Sequence, residues 1–487
     1  MRTARVIVVL AAAEVTGKLG TLVVVVGAAR VLSLADFGRF SVALGVGAMS
    51  AVLPSWGFDT VVIQRGAVDR RVVPPLLAEV LAARAALSLG TLAVLAAAVA
   101  MPGLLGLPGL PATVVAAGGC VVAACLVETL TDAYRAVAVA WQSQGVVAVM
   151  LSVQRALAAA LTVFALAVWR TLLALSVAYL LATVAGLVAM AVGVGRLGAR
   201  PRPGLVSRRG LRALAGSSWS IGVHSVASMA LFRVDGVLLA ALAGAAAAGR
   251  YAAAYRLLET VVFVCWTVSR AVFPMMATAV TGWQVRRGAE RGLAVLAAVF
   301  APYAAVMWCR GGDVLRLLYG EELARTGVPV LAWLAPAPLL FGAAYLAAHA
   351  LLAAGPSRLV LVGSLGALAV NVGLNLVLIP RYGPVGAAAA TSVSYAVEIM
   401  LLQPVVNARA GRPALVRPLL PAVLAAGLTA AALLLPLPLL PALLLAGTVY
   451  LLAWSVLARW LDAEQWEVVR GVLTRGGAST GNTGPSR

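Results

Sequence analysis

The sequence predicts an all-α polytopic membrane protein of about 14 transmembrane helices, arranged as two six-helix lobes followed by a C-terminal helix pair. Three observations carry that prediction. Of the 487 residues, 62% are hydrophobic and only 11% are charged, against about 25% charged in soluble domains. Apolar runs of the roughly 20 residues that cross a ~30 Å hydrocarbon layer recur from end to end. The two halves of the chain also repeat one another.

The apolar runs fall at about 6–28, 37–58, 76–100, 112–132, 146–168, 173–195, 214–243, 249–276, 293–312, 327–353, 359–379, 385–406, 416–434 and 441–458. The opening "MRTARVIVVLAAAE" has the basic end and apolar stretch of a signal peptide. The apolar run resumes through "LGTLVVVVGAA", so an uncleaved first span is expected. The basic loop "RLGARPRPGLVSRRGLR" divides the chain into an N-terminal lobe over 1–195, a linker over 196–213 and a C-terminal lobe over 214–406. Two extra spans follow over 407–458, then a cytoplasmic tail over 459–487 that opens with "RWLDAEQWEVVRGVL", read as an interfacial helix.

The repeat rests on three matches in order. "FGRFSVA" (37–43) aligns with "AGRYAAA" (248–254), and "YRAVAVAWQSQG" (134–145) with "YLAAHALLAAG" (345–355). "LSVAYLLATV" (175–184) aligns with "TSVSYAVEIM" (391–400) at a slightly larger offset. An even number of spans per repeat makes both halves enter from one side, so they are parallel repeats about an axis along the membrane normal.

The net charge of +20 would suggest nucleic acid in a soluble protein. Here the arginines crowd short alternate loops, around Arg65–Arg71, Arg196–Arg212, Arg286–Arg291 and Arg409–Arg417. That is the positive-inside pattern of a multi-pass protein with both termini cytoplasmic, not a nucleic-acid surface. Cys120, Cys125, Cys265 and Cys309 lie in or beside apolar runs with no metal-ligand spacing and read as small core residues. No metal or cofactor is expected.

Charges at bilayer depth cost about 2.5–3.5 kcal/mol each by insertion scales and face a bundle interior or a wet cavity. Glu14 and Lys18, four apart, share a face of the first span; they form a local ion pair, present a cation to a cavity, or both. Glu128 and Asp132 share a face near the inner end of the fourth span, with no cation counted in helical register, so they look to a partner elsewhere, a cation or solvent. In "FRVDGVLLAAL" (232–242), Arg233 and Asp235 are about 200° apart on a helix and cannot pair with each other. Asp235 is expected to meet a cation on the first or eighth span. Arg256 and Glu259 share a face of the eighth span, and Arg270 follows about 40° round and about 21 Å along, extending a polar stripe. Arg39, Arg84 and Arg155 sit near span ends and are expected to snorkel. His224 and His349 read as core histidines, and Asn371 and Asn375 as cross-helix hydrogen-bonding residues.

Together the cations of spans one, seven and eight suggest an anionic ligand, and the planar arginine fork suits phosphate. No regular arginine ladder or filter motif supports a channel. No Walker A sequence, HExxH or nucleophile elbow points to an enzyme, and no external loop is large enough for a glycosyltransferase or polymerase centre.

Three stretches carry a resemblance: "LADFGRFSVALGVGAMSAVLPSWGFDTVVIQRG" (34–66), "FRVDGVLLAALAGAAAAGRYAAAYRLLETVVFVCWTVSRAVFPMMA" (232–277) and "VNVGLNLVLIPRYGPVGAAAATSVSY" (370–395). They resemble the bacterial polysaccharide flippases, which move lipid-linked oligosaccharides and belong to the multidrug/oligosaccharidyl-lipid/polysaccharide exporter superfamily. The resemblance spans about residues 6–406. It implies a MATE-like pair of six-helix lobes in the bacterial inner membrane. It also implies alternating-access transfer of an undecaprenyl-diphosphate-linked glycan to the outer leaflet through a central cationic cavity. Carried onto this chain, it makes Lys18, Arg233, Arg256 and Arg270, with Arg39 as a weaker match, the diphosphate-binding residues. Glu14, Glu128, Asp132, Asp235 and Glu259 are then candidates for ion coupling or counter-charge. The implied partners are the polyprenyl-diphosphate glycan and membrane lipid, with polysaccharide polymerase and glycosyltransferases acting on the same glycan. Rival expectations are a cation-coupled multidrug antiporter or a peptidoglycan-precursor flippase of the same superfamily, and a membrane glycosyltransferase.

Overall fold

In hydrocarbon every backbone N–H and C=O must bond within its own segment, so the valine-rich apolar runs become helices whatever their intrinsic propensity. The computed structural model describes residues 20–104, 109–141, 143–277, 281–353, 358–411 and 416–461. Among these residues there are only helices and short connections. Thirteen of the helical segments are long and apolar enough to cross a membrane, and a shorter apolar helix, Gly20–Val31, precedes them within the first expected span.

The helices run α1 (Gly20–Val31), α2 (Leu34–Ser55), α3 (Phe58–Val68), α4 (Val73–Leu104), α5 (Ala112–Ala140), α6 (Gln144–Val168), α7 (Leu172–Arg196) and α8 (Arg208–Ala243). They continue as α9 (Ala245–Ala277), α10 (Gly282–Tyr319), α11 (Glu321–Leu334), α12 (Ala337–Ala353), α13 (Arg358–Tyr382) and α14 (Pro384–Ala410). Last come α15 (Val416–Leu433) and α16 (Leu439–Leu461).

Caps mark the starts. The Ser33 hydroxyl accepts from the Asp36 N–H at 3.1 Å, and the Ser207 hydroxyl accepts from the Gly210 N–H at 2.9 Å, each satisfying an orphan donor of a first turn. Two expected spans differ in detail. The run expected at 37–58 is α2, which stops at Ser55 because Trp56 (φ 35°) and Gly57 (φ 73°) take left-handed backbone, and a separate helix, α3, starts at Phe58. Gly57 adopts that conformation without cost, whereas Trp56 does not. The run expected at 327–353 is likewise split into α11 and α12, at Ala335–Pro336.

The chain divides into two compact units: residues 1–253 with 372–387, and residues 254–371 with 388–487. In the first unit a core runs through Val62 on α3, Leu77 and Val80 on α4, Val137 on α5 and Val194 on α7. There too α2 and the start of α9 cross at near-backbone contact. A Cβ on Gly38 would lie 1.8 Å from the Ala245 carbonyl oxygen and 3.0 Å from the Gly249 nitrogen. Gly38 and Gly249 are the glycines aligned by the repeated G-R motif, so equivalent residues of the two repeats touch each other.

In the second unit one core gathers Cys265, Leu296, Phe300 and Leu346. Another packs α10 on α15 and α16 through alanines, Ala297, Ala301, Ala422, Ala425 and Ala446. Small residues let helices approach closely where no hydrophobic effect drives them together.

Candidate functional site

Among the described residues, a dense group of charges within the apolar helices lies in the first unit and is built by the six consecutive helices α3–α8. Arg84 on α4 is fully buried (0% exposed). It donates through Nη2 to Asp59 Oδ1 on α3 at 2.7 Å and through Nη1 to the Thr129 carbonyl on α5. The expectation that Arg84 snorkels to the membrane edge is corrected: an acid on the neighbouring helix and an interior carbonyl hold it inside. The Asp59 side chain keeps 35% exposure, so the pair has one dry and one open end.

Next to Thr129 on α5, Glu128 accepts from Gln154 Nε2 at 2.5 Å and from Arg155 Nη2 at 3.2 Å, both on α6. The Arg155 and Glu128 side chains are about a quarter exposed. Arg155 is also hydrogen-bonded to Tyr179 on α7. Arg155 is thus a cross-helix partner and not a snorkelling residue. Asp132 pairs with Arg135 on the same helix. The expectation of no cation in register with Glu128 and Asp132 is corrected, since Arg135 follows Asp132 by three. The charges of Glu128, Asp59 and Arg84 all act on Asp132, so the three pairs form one electrostatic group.

Arg233 on α8 is half-buried, with its guanidinium carbon 5.2 Å from the centre of the Phe232 ring. Its charge acts, with those of Glu128 and Arg155, on the Cys125 thiol of α5. The structure therefore brings Arg233 into electrostatic reach of Glu128 and Arg155. Among the described residues, the guanidinium groups of Arg84, Arg135, Arg155 and Arg233 accompany the carboxylates of Asp59, Glu128 and Asp132. Arginine pairs made across helices in a low-dielectric interior are strong and directional, and their donors fit phosphate oxygens as well as carboxylates.

The other expected residues lie elsewhere. Asp235, 1% exposed, accepts from Tyr251 Oη at 3.2 Å and from Asn375 Nδ2 at 2.9 Å, so its described hydrogen-bond donors are neutral groups of α9 and α13. Asn375 is a cross-helix hydrogen-bonding residue, as its position in the apolar run predicts. Arg39 is exposed and pairs with Asp36 at 2.8 Å on its own helix. In the second unit Arg256 pairs with Glu259 one turn away, both largely buried. Arg270 lies on α9, with its side chain outside the described residues; so do the whole of Glu14 and Lys18. Asp59, Arg135 and Gln154 carry no weight in the sequence reading. Glu79, on α4, accepts from the Ser207 hydroxyl at the start of α8, and Glu398 on α14 accepts from Ser364 on α13 at 2.8 Å.

The fold is one that solved multi-pass transporter structures share. A solved structure described as the lipid II flippase MurJ in an inward closed conformation superposes with TM-score 0.67 at 12% identity, covering 93% of this chain and 99% of that one. An inward-facing multidrug resistance MATE family transporter of the MOP superfamily gives TM-score 0.64 at 13% identity, covering 82% and 98%. A MOP superfamily transporter from Pyrococcus furiosus, described by the reverse polarity of its binding pocket, gives 0.60 at 13% identity, covering 83% and 96%. The comparison with curated proteins finds no match. A family model described as polysaccharide biosynthesis protein matches residues 4–280, more than half of the sequence. The chain belongs to that family.

Proposed function

We propose that this protein transfers a polyprenyl-diphosphate-linked oligosaccharide from the cytoplasmic to the outer leaflet of a bacterial inner membrane, for surface or exopolysaccharide synthesis. Both termini are cytoplasmic in this reading, as the arginine-rich loops require. The observation that carries it is the cluster of buried and half-buried arginine–carboxylate pairs on α3–α6, two of them across helices, within a family that serves polysaccharide biosynthesis. Cations kept at bilayer depth are expensive, and a doubly ionised diphosphate is a ligand that repays them.

Partner exchange supplies the binding chemistry. With no cargo, Arg155 and Arg135 are neutralised by Glu128 and Asp132. An arriving diphosphate offers the same kind of oxygen acceptor, so guanidinium groups move from carboxylate to phosphate with few hydrogen bonds lost. Arg233, whose charge acts on the same Cys125 thiol as those of Glu128 and Arg155, is a further guanidinium that a diphosphate can engage. The sugars need water, and the prenyl tail stays in hydrocarbon. A ligand shifts a conformational equilibrium only by its differential affinity. Net direction therefore comes from consumption of the glycan outside or from an ion gradient, for which Glu128 and Asp132 are the candidate carriers.

The test is transfer of a fluorescent polyprenyl-diphosphate disaccharide in proteoliposomes. Arg233→Ala is expected to slow transfer roughly tenfold or more, the value of one charge-assisted contact, with the protein still inserted and monodisperse. Arg233→Lys retains part of the rate. An unchanged rate in Arg233→Ala overturns the assigned role. Transfer of an organic cation and of no polyprenyl diphosphate by the wild type overturns the function. A lipid II arm in the same assay separates the peptidoglycan precursor from other glycans.

A further inference from the structure

The first unit also holds a cavity that the transport reading does not use. It measures about 770 Å³ and opens among α4, α5, α7 and the segment that follows α7. Its walls are apolar, with Leu81, Leu130 and Leu187 facing it. Its polar side chains are Tyr134 and, together at one end, Arg196 and Arg200. Both arginines are exposed, and among the described residues neither forms an ion pair.

The backbone that carries the two arginines is anchored rather than trailing in a loop. Arg196 is the last residue of α7, where the helix dipole favours a cation. Arg200 follows Ala199, which is fully buried in the core of the unit. The Arg202 N–H then donates to the Pro74 carbonyl at 3.3 Å, tying the segment to the start of α4. An apolar slot capped by two positioned guanidinium groups matches one ligand chemistry, an alkyl chain ending in a phosphate. Basic pockets between transmembrane helices at the cytoplasmic side take anionic lipid head groups, and cavities of about 300–1,000 Å³ are of the size that encloses one small ligand.

We propose that this cavity binds one anionic glycerophospholipid. One acyl chain lies between α4, α5 and α7, and the phosphate sits between Arg196 and Arg200. The Tyr134 hydroxyl supplies a donor beside it, and the second chain remains in the bilayer. A zwitterionic lipid is disfavoured because its ammonium would face two guanidinium groups. The site is separate from the cargo chemistry proposed above, and its test reads lipid retention without transport.

The full-length protein is placed in nanodiscs of phosphatidylcholine doped with phosphatidylglycerol, and the lipid it retains after release is measured by native mass spectrometry. The wild type is expected to retain phosphatidylglycerol over phosphatidylcholine. Arg196→Ala with Arg200→Ala should weaken that retention roughly tenfold or more, from the attraction of two surface arginines. The double lysine variant should keep most of it. Ala191→Trp, which fills the slot and leaves the arginines, should also weaken it; if that variant misfolds, the two exposed arginine positions decide alone. Equal retention of the two lipids by the wild type, or unchanged retention in the double alanine variant, overturns the proposal. Preferential retention of a polyprenyl diphosphate over phosphatidylglycerol overturns it equally, by assigning the slot to the cargo.

Discussion

The described ion pairs of the two units differ in reach. In the first, Arg84 reaches from α4 to Asp59 on α3, and Arg155 from α6 to Glu128 on α5. In the second, the described ion pairs Arg256–Glu259, Arg286–Glu290, Arg310–Asp313 and Arg316–Glu321 close within five residues. A pair inside one helix lowers the insertion cost of that helix and says nothing about its neighbours. A pair between helices fixes their register and leaves a stranded charge when one partner goes. The first unit is thus held in part by interactions that a ligand with the same oxygen chemistry can enter.

That contrast is easiest to break at Arg84. Arg84→Ala removes the cation from a fully buried site and leaves Asp59 and the Thr129 carbonyl behind, so it should cost about 3 kcal/mol of stability. The value sits at the low end of such pairs because Asp59 is partly exposed. A thermal melt of the purified protein in detergent checks it, and an unchanged midpoint would remove the distinction between the units. A double-mutant cycle on Glu128→Gln and Arg155→Gln comes next, with an expected coupling of about 1–2 kcal/mol. Chemical denaturation of the four proteins measures it. Arg256→Gln should cost about 1–2 kcal/mol, less than Arg84→Ala because the glutamine amide can still donate to the largely buried Glu259 one turn away on the same helix. A loss as large as that of Arg84→Ala would place Arg256 in an inter-helix role. Smallest of all, Arg39→Ala should fall within about 0.5 kcal/mol of the wild type in the same melts, since the Arg39–Asp36 pair is exposed.

The same contrast explains what the sequence alone makes legible. Hydrocarbon thickness imposes one length on every span, so the number and approximate place of the crossings follow from hydropathy. Pairs such as Arg256–Glu259 follow from the helical period. Arg135, three residues after Asp132, was available to the same rule and escaped it. Arg84 was not available in that way: near a span end, snorkelling and burial look identical until the opposing helix is placed, and its partner Asp59 is 25 residues earlier on another helix. The breaks at Trp56 and Pro336 were softer signals. A proline within an apolar run marks either a kink or a stop, and hydropathy continues across both. Asp235 was readable as a residue unable to pair with Arg233. Its acceptance of hydrogen bonds from Tyr251 and Asn375 depends on packing that no local pattern contains.

Residues 372–387 belong to the first unit although most of their sequence neighbours belong to the second. During synthesis the ribosome therefore delivers a first unit that is missing a piece, and the Asp235 carboxylate waits for an amide made 140 residues later. A nascent chain arrested before that stretch would hold a carboxylate one donor short in the bilayer. Folding of the first unit is therefore complete only once residue 387 has been made and inserted.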